Sequence, residues 1–132
     1  MGNCQAKLNN RIAAEFKPSA ILRKEVLSPN LQYRQSNGGC QVQGNGALVL
    51  TDRVLWFTPL ARCKGCCCEM QDIEIPVHSI KSASTVQDRR TNRICLCIDC
   101  GNDVLHIYVA DVNGWIAAVD GLIRDLPLAY EA

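Results

Sequence analysis

The first residues of the chain, Met1-Gly2-Asn3-Cys4, carry the chemistry of a doubly acylated protein. Removal of the initiator methionine gives Gly2 a free α-amine that can take an N-myristoyl group, and the Cys4 thiol can take a reversible palmitate. The sixth position of the myristoylation pattern is Ala6, which its looser versions accept. Because one myristoyl chain binds membranes only marginally, stable anchoring needs a second acyl chain or a basic patch. These residues predict attachment to a membrane surface.

Basic side chains are concentrated in the same part of the chain and predict contact with anionic lipid. Six stand within the first 34 residues against two acidic ones, and acidic residues predominate after residue 98. Each basic residue close to an anionic leaflet contributes about 1 kcal/mol to binding. The predicted lipid-binding residues are Lys7, Arg11, Lys17, Arg23, Lys24, Arg62 and Lys64. The expected location is the cytoplasmic face of a cellular membrane, with anionic inner-leaflet lipid and an unidentified protein as partners, and no nucleic acid.

The nine cysteines of the chain are its second chemical feature. No apolar secretory segment follows the first residues, and the count is odd, so reduced thiols are expected rather than a disulfide framework. In one interpretation a second palmitoylation site lies in the cysteine-rich segment between Arg62 and Cys68, at Cys66, Cys67 and Cys68.

Two other interpretations of the cysteines remain open. Cys63-x-x-Cys66 and Cys97-x-x-Cys100 have the ligand spacing of a four-thiolate zinc site, or of a thiol-redox protein. In the other interpretation, Cys95 and Cys97 are small residues of a strand, and the thiols of the loops have no specific role. Three consecutive cysteines cannot all ligate one ion, so an acylated or simply exposed loop is favoured, and neither metal nor cofactor is expected.

The length of 132 residues and the 48 % apolar content fit one globular domain. The longest apolar runs, such as Ala47 to Leu50, are far shorter than the ~20 residues that a membrane-spanning helix needs. No glycine-rich phosphate loop, nucleophile elbow or carboxylate pair occurs, so an enzyme is not expected. Residues 1–18 are predicted to form an acylated basic segment with a short helix at Ala6 to Phe16, and residues 19–132 the domain.

Apolar residues at a period of two predict seven strands. The strands are expected at Ile21 to Leu27, Ala47 to Thr51, Val54 to Thr58, Ile73 to Val77, Ile80 to Val86, Arg93 to Asp99 and Val104 to Val109. The turn cluster Ser28-Pro29-Asn30 is predicted to end the first of them. In the two clearest hairpins, the predicted register pairs Leu48 with Phe57 and Cys97 with His106.

A single helix is predicted at the end of the domain, because apolar residues recur there at three- and four-residue spacing from Val112 to Leu126. Asp111 is its expected N-cap, and Trp115 lies at the centre of its apolar stripe. One amphipathic helix and seven short antiparallel strands together predict an all-β, partly open barrel capped by a C-terminal α-helix.

Three groups of residues resemble a known family. Residues 46–57 are similar to the strand-turn-strand pattern of pleckstrin-homology-like domains, more narrowly their GRAM branch, and Ile73 to Val77 is similar to the isoleucine-rich strand that follows. Trp115 matches the tryptophan of the final helix. The resemblance covers about residues 20 to 126 and implies a module that binds lipid or protein. Its phosphoinositide site begins with Arg23 and Lys24, but the second strand supplies no basic partner.

The expected function is therefore a small peripheral membrane adaptor or lipid-binding protein, anchored by acylation. One alternative is a soluble module of the same fold that binds a peptide between a strand edge and the final helix. The other alternative is a zinc-binding or thiol-redox protein that uses the two Cys-x-x-Cys pairs.

Overall fold

The computed structural model describes residues 3–36, 39–41, 44–61, 71–89 and 91–125. Two helices and eight strands occur in these ranges: α1 (Asn3–Glu15), β1 (Arg23–Ser36), β2 (Gly39–Gln41), β3 (Gly44–Leu50), β4 (Val54–Pro59), β5 (Ile73–Pro76), β6 (Ser82–Asp88), β7 (Arg93–Asp99), β8 (Val104–Tyr108) and α2 (Val112–Arg124). Two short 3₁₀ turns, Pro18–Ala20 and Val77–Ser79, precede β1 and β6.

The described strands form one antiparallel sheet in the order β5-β4-β3-β1-β8-β7-β6, and the short β2 pairs with the end of β1 outside this path. The sheet curls into a half-barrel, and α2 covers its inner face. The predicted all-β architecture with a C-terminal helix is thus confirmed. Strands β5 and β6 are the two edges of the sheet, which leaves the barrel partly open.

Both predicted hairpin registers are confirmed. Leu48 pairs with Phe57 between β3 and β4, and Cys97 pairs with His106 between β7 and β8. The ends of six of the predicted strands differ from the prediction by three residues or fewer. Alternation explains the register of β7 and β8, where a slip by one residue would move the apolar side chains off the core face. The short turn at Asp52-Arg53 explains the register of β3 and β4, which are buried on both faces.

The first strand is longer than predicted, and its predicted end at Ser28-Pro29-Asn30 is wrong. β1 continues to Ser36 and pairs first with β3 and then with β8. The turn-type residues lie at a bulge, where the register shifts after Val26 and Leu27 has a φ of 72°. Residues that favour turns also favour bulges, because both interrupt the ladder of backbone hydrogen bonds. The bulge lets one strand serve both halves of the curled sheet.

The main core lies between the inner face of the sheet and α2. The predicted helix stripe is confirmed there, since Trp115 and Val119 are both 0 % exposed and belong to the same apolar cluster as Leu48, Leu96 and Ile107. Val112, Ile116, Leu122 and Ile123 pack around that cluster while partly exposed. The helix therefore closes the inner face through a broad stripe.

The beginning of α2 is held by two carboxylates. Asp111 is the N-cap, as predicted, and its Oδ1 accepts a hydrogen bond from the Gly114 amide at 3.1 Å. Glu25 of β1 accepts hydrogen bonds from the Ala110 amide at 2.8 Å and from the Trp115 indole Nε1 at 2.5 Å. Burial raises the pKa of Glu25, but these hydrogen bonds outweigh burial and leave the pKa below its ordinary value.

Arg23 lies at the same end of α2, and its position explains why a glycine stands in the first turn of that helix. Its guanidinium pairs with Asp111 at 2.6 Å and lies over the Trp115 ring, 5.4 Å from the centroid. The hydrogen bond from the Gly114 amide, followed by that from Arg23, holds the pKa of Asp111 below its ordinary value. A Cβ atom at Gly114 would collide with both side chains of the pair.

Candidate functional site

Helix α1 lies on the outer face of the sheet, the face opposite α2. Its Leu8 and Ile12 are 0 % and 3 % exposed and form an apolar cluster with Val49 and Trp56. Phe16 follows the helix and meets the Trp56 ring edge-on, with centroids 5.3 Å apart. The four-residue spacing of these apolar side chains thus marks the helix face that packs on β3 and β4.

A single arginine fastens α1 to the end of β4. Arg11 donates hydrogen bonds to the Thr58 hydroxyl at 3.2 Å, to the Pro59 carbonyl, and to the Leu60 carbonyl at 3.2 Å. The buried Thr58 hydroxyl in turn donates to Asp72 at 2.7 Å. Pro59 and Leu60 precede the cysteine-rich segment and Asp72 follows it. Arg11 therefore links α1 to described residues that precede that segment and, through Thr58, to one that follows it.

The structure separates the predicted lipid-binding residues into two groups. Arg11 and Arg23 are engaged in the protein contacts described above, whereas Lys7, Lys17 and Lys24 are exposed. Lys24 pairs with Val49 and therefore points to the outer face, where α1 lies. The predicted acylation residues Gly2, Cys66, Cys67 and Cys68, and the basic Arg62 and Lys64, lie outside the described residues.

Cys4 is exposed at the beginning of α1. It precedes Arg11 by two helical turns, which corresponds to about 10 Å along the helix axis. Arg11 in turn holds the Leu60 carbonyl, two residues before the cysteine-rich segment begins. Cys4 is therefore an exposed thiol on a helix whose position on the sheet is fixed by Arg11.

A cleft of about 430 Å³ lies elsewhere on the outer face, lined by Tyr33, Cys95 and His106 among others. The Tyr33 and His106 rings stack with centroids 5.0 Å apart. Burial raises the pKa of Cys95 to about 11 and lowers the pKa of His106. The raised pKa of Cys95 favours the protonated thiol over the thiolate at neutral pH.

The Cys-x-x-Cys pair of β7 does not converge on one point. Cys97 pairs with Ser84 and His106 on the outer face, whereas Cys100 packs against the inner core. Burial raises the pKa of Cys100 to about 11, while zinc binds the thiolate. Among the described residues, no group of three or more His, Cys, Asp or Glu side chains is placed to hold a metal. Cys63 and Cys66 lie outside the described residues.

We expect metal removal to leave the stability of the fold unchanged. A chelator lowers the melting temperature of a protein whose folded state binds the metal. Because Cys97 and Cys100 face opposite sides of the sheet, we expect no shift with the chelator, and none when Cys97→Ser is compared with the wild type. Stoichiometric zinc in the purified protein that is lost in Cys97→Ser would contradict this result.

Comparisons with known proteins leave the family open. No family model matches the chain, and no curated protein matches it. One similar solved structure is the C-terminal domain of an unknown protein from Leishmania infantum, with a TM-score of 0.49 and 11 % sequence identity over 90 % of this chain and 94 % of that one. Neither described helix has the length and apolar content to cross a bilayer. The pleckstrin-homology-like and GRAM-like assignments stay predictions.

Proposed function

We propose that this protein is a small peripheral membrane adaptor or lipid-binding protein, anchored to the cytoplasmic face of a membrane by myristate on Gly2 and palmitate on Cys4. The observation that supports the proposal most is the position of α1. Through Arg11 the helix is fastened to the end of β4, and Cys4 is exposed one turn before the buried Leu8. An acyl chain on Cys4 would therefore leave the fold from a helix that is fixed to the sheet.

The energetics of anchoring favour such an arrangement. A buried acyl chain contributes ~0.8 kcal/mol per CH₂, yet one myristoyl chain alone gives only reversible binding. The exposed Lys7, three residues after Cys4, adds electrostatic attraction to anionic lipid, about 1 kcal/mol where it reaches the surface. Two acyl chains and a basic side chain together suffice for stable attachment.

Replacing the acceptor glycine tests the proposal directly. We expect Gly2→Ala, made in a eukaryotic cell, to move the protein from the membrane fraction to the cytosol, because the variant cannot be myristoylated. Cys4→Ser is expected to give a partial loss, since one acyl chain remains. The measurement is the membrane fraction after ultracentrifugation, with intact mass spectrometry to report the acyl groups.

The matched control is Asn10→Ala, an exposed and uncharged position on the same helix. It should partition like the wild type. Membrane association that persists in Gly2→Ala, or a wild-type mass without any acyl group, would contradict the proposed anchor.

A second candidate, a soluble peptide-binding module, is favoured by the edge strand β6. Its seven residues contain no proline, and in the described ranges it pairs only with β7. An unpaired edge of this kind can accept an extended peptide as an additional strand. Gly2→Ala separates the two candidates, because a soluble module would show the same distribution with and without Gly2.

A further inference from the structure

A groove on the outer face separates the end of α1 from the β3–β4 turn. Its volume is about 550 Å³, within the range of about 300–1,000 Å³ that is typical of ligand sites in proteins. We call it the Phe16 groove. Its apolar walls are formed by Phe16, Ala20, Val54 and Pro76. The exposed Leu22 lies beside it, because its amide donates to the Leu50 carbonyl and so continues the pairing of β1 with β3.

The walls of the Phe16 groove are held in place by the fold. Phe16 is packed against Trp56, and its amide donates to the Ile12 carbonyl at 2.9 Å. Ala20 belongs to a 3₁₀ turn that is closed by a hydrogen bond from its amide to the Lys17 carbonyl at 2.9 Å. A groove with fixed walls binds a partner without a large cost for ordering its own residues.

The charged residues that line the groove sum to one negative charge. The rim of the groove carries two exposed carboxylates, Asp52 and Glu74, and one exposed guanidinium, Arg53. An anionic lipid headgroup would meet net repulsion at this rim, whereas a lysine or arginine next to an apolar side chain would be attracted. The charge thus favours a basic polypeptide over anionic lipid as the occupant.

The position of the groove also favours a polypeptide over lipid as the occupant. The groove lies at the first residue of β4, Val54, whereas Arg11 contacts the last residue of that strand, Pro59. Five steps along a strand amount to roughly 17 Å. A protein anchored through Cys4, two helical turns before Arg11, would hold the groove away from the bilayer, where a soluble partner can reach it.

We propose that the Phe16 groove binds a partner polypeptide by taking one large apolar side chain that is flanked by Lys or Arg. This inference deepens the proposed adaptor function and rests on it for the orientation of the groove toward the cytosol. The apolar side chain contacts Phe16 and Val54, and the flanking cations pair with Asp52 and Glu74.

The test uses synthetic eight-residue peptides with one central Leu, Phe or Trp flanked by Lys, Ser or Glu. The protein is the full-length Gly2→Ala variant, which is expected to remain in solution without a membrane. Fluorescence polarisation of labelled peptides reports binding. We expect lysine-flanked peptides to bind best and Ala20→Trp, which fills the groove, to abolish binding. Ala13→Trp, at an exposed position of α1 outside the groove, is the matched control and should bind like the parent.

Charge reversal gives the second arm of the test. We expect Asp52→Lys combined with Glu74→Lys to weaken lysine-flanked peptides by about ten-fold and to favour the glutamate-flanked ones. Asp125→Lys, an exposed carboxylate at the end of α2, should change neither. A preference for glutamate-flanked peptides in the parent, or an equal loss in Ala13→Trp, overturns the proposal.

The same set of variants also tests other occupants of the Phe16 groove. A dimer in sedimentation that Ala20→Trp abolishes would assign the groove to a second copy of the chain, and dodecanoate binding lost in Ala20→Trp would assign it to an acyl chain. Either result overturns the polypeptide proposal, as does the absence of binding by every peptide. The membrane anchor is tested independently by the fractionation of wild type and Gly2→Ala, so the two failures are distinguishable.

Discussion

Trp115→Ala is expected to lower the free energy of unfolding by about 3–5 kcal/mol. The side chain is fully buried between α2 and the inner face of the sheet, so truncation leaves a large cavity. It also leaves the Glu25 carboxylate without its indole donor. Since domains of this kind have a total stability of about 5–15 kcal/mol, the melting temperature should fall by roughly 10–20 °C.

Thermal unfolding followed by circular dichroism measures this effect. Trp115→Phe, which keeps most of the apolar volume but lacks the indole N–H, should fall between the wild type and the alanine variant. Ile94→Ala is the control for a surface position, because Ile94 is 59 % exposed. A shift of only a degree or two for Trp115→Ala would mean that α2 is not docked through this residue.

Glu25→Gln is expected to cost about 1–3 kcal/mol at pH 7. The carboxylate accepts hydrogen bonds from the Ala110 and Asp111 amides, the Trp115 indole and the Ser28 hydroxyl. A glutamine amide presents a nitrogen donor where an acceptor is needed, so at least one of these donors loses its partner. Exposed Glu15 on α1 provides the matched control, Glu15→Gln, which should leave stability nearly unchanged.

The effect of Glu25→Gln should depend on pH in a defined direction. The pKa of Glu25 in the folded protein lies below its ordinary value of 4.5, so the folded state favours the ionised form. Its stabilising contribution is complete above pH 4.5 and is lost as the pH falls below that value. Urea unfolding between pH 7 and pH 3 should therefore show the two proteins converging on acidification. A constant difference would mean that the charge of Glu25 does not stabilise the fold.

The strand pattern was predictable from the sequence where one side of a strand faces the core. The alternation in β7 and β8 predicts the register that places Leu96, Ile98, Leu105 and Ile107 on the core face, and the structure has that register. In β3 and β4, which are buried on both faces, the short turn at Asp52-Arg53 indicates the register. The extension of β1 beyond Ser28-Pro29-Asn30 was not predictable, since the same residue types serve a turn or a bulge. Only the pairing with β8, about 70 residues away, distinguishes the two.

The candidate site was harder to predict, because the sequence shows which residues are charged but not which groups they contact in the fold. Arg11 and Arg23 are predicted lipid-binding residues, and the structure shows that both contact protein groups at separations of 47 and 88 residues. Glu25 and Thr58 were missed for the same reason, since their partners are also distant. The spacing of Leu8 and Ile12 did indicate the helix, although it could not identify the surface that the helix covers.

The contact between Arg11 and Leu60 spans 49 residues of chain and therefore sets a delay during synthesis. At translation rates of about 5–20 residues per second, α1 emerges from the ribosome roughly 2–10 s before the end of β4 that it binds. During that interval Leu8 and Ile12 have no sheet to cover them. Factors bound to the ribosome would therefore encounter α1 with its apolar face exposed. Factors that act after folding would encounter the helix with that face covered by the sheet.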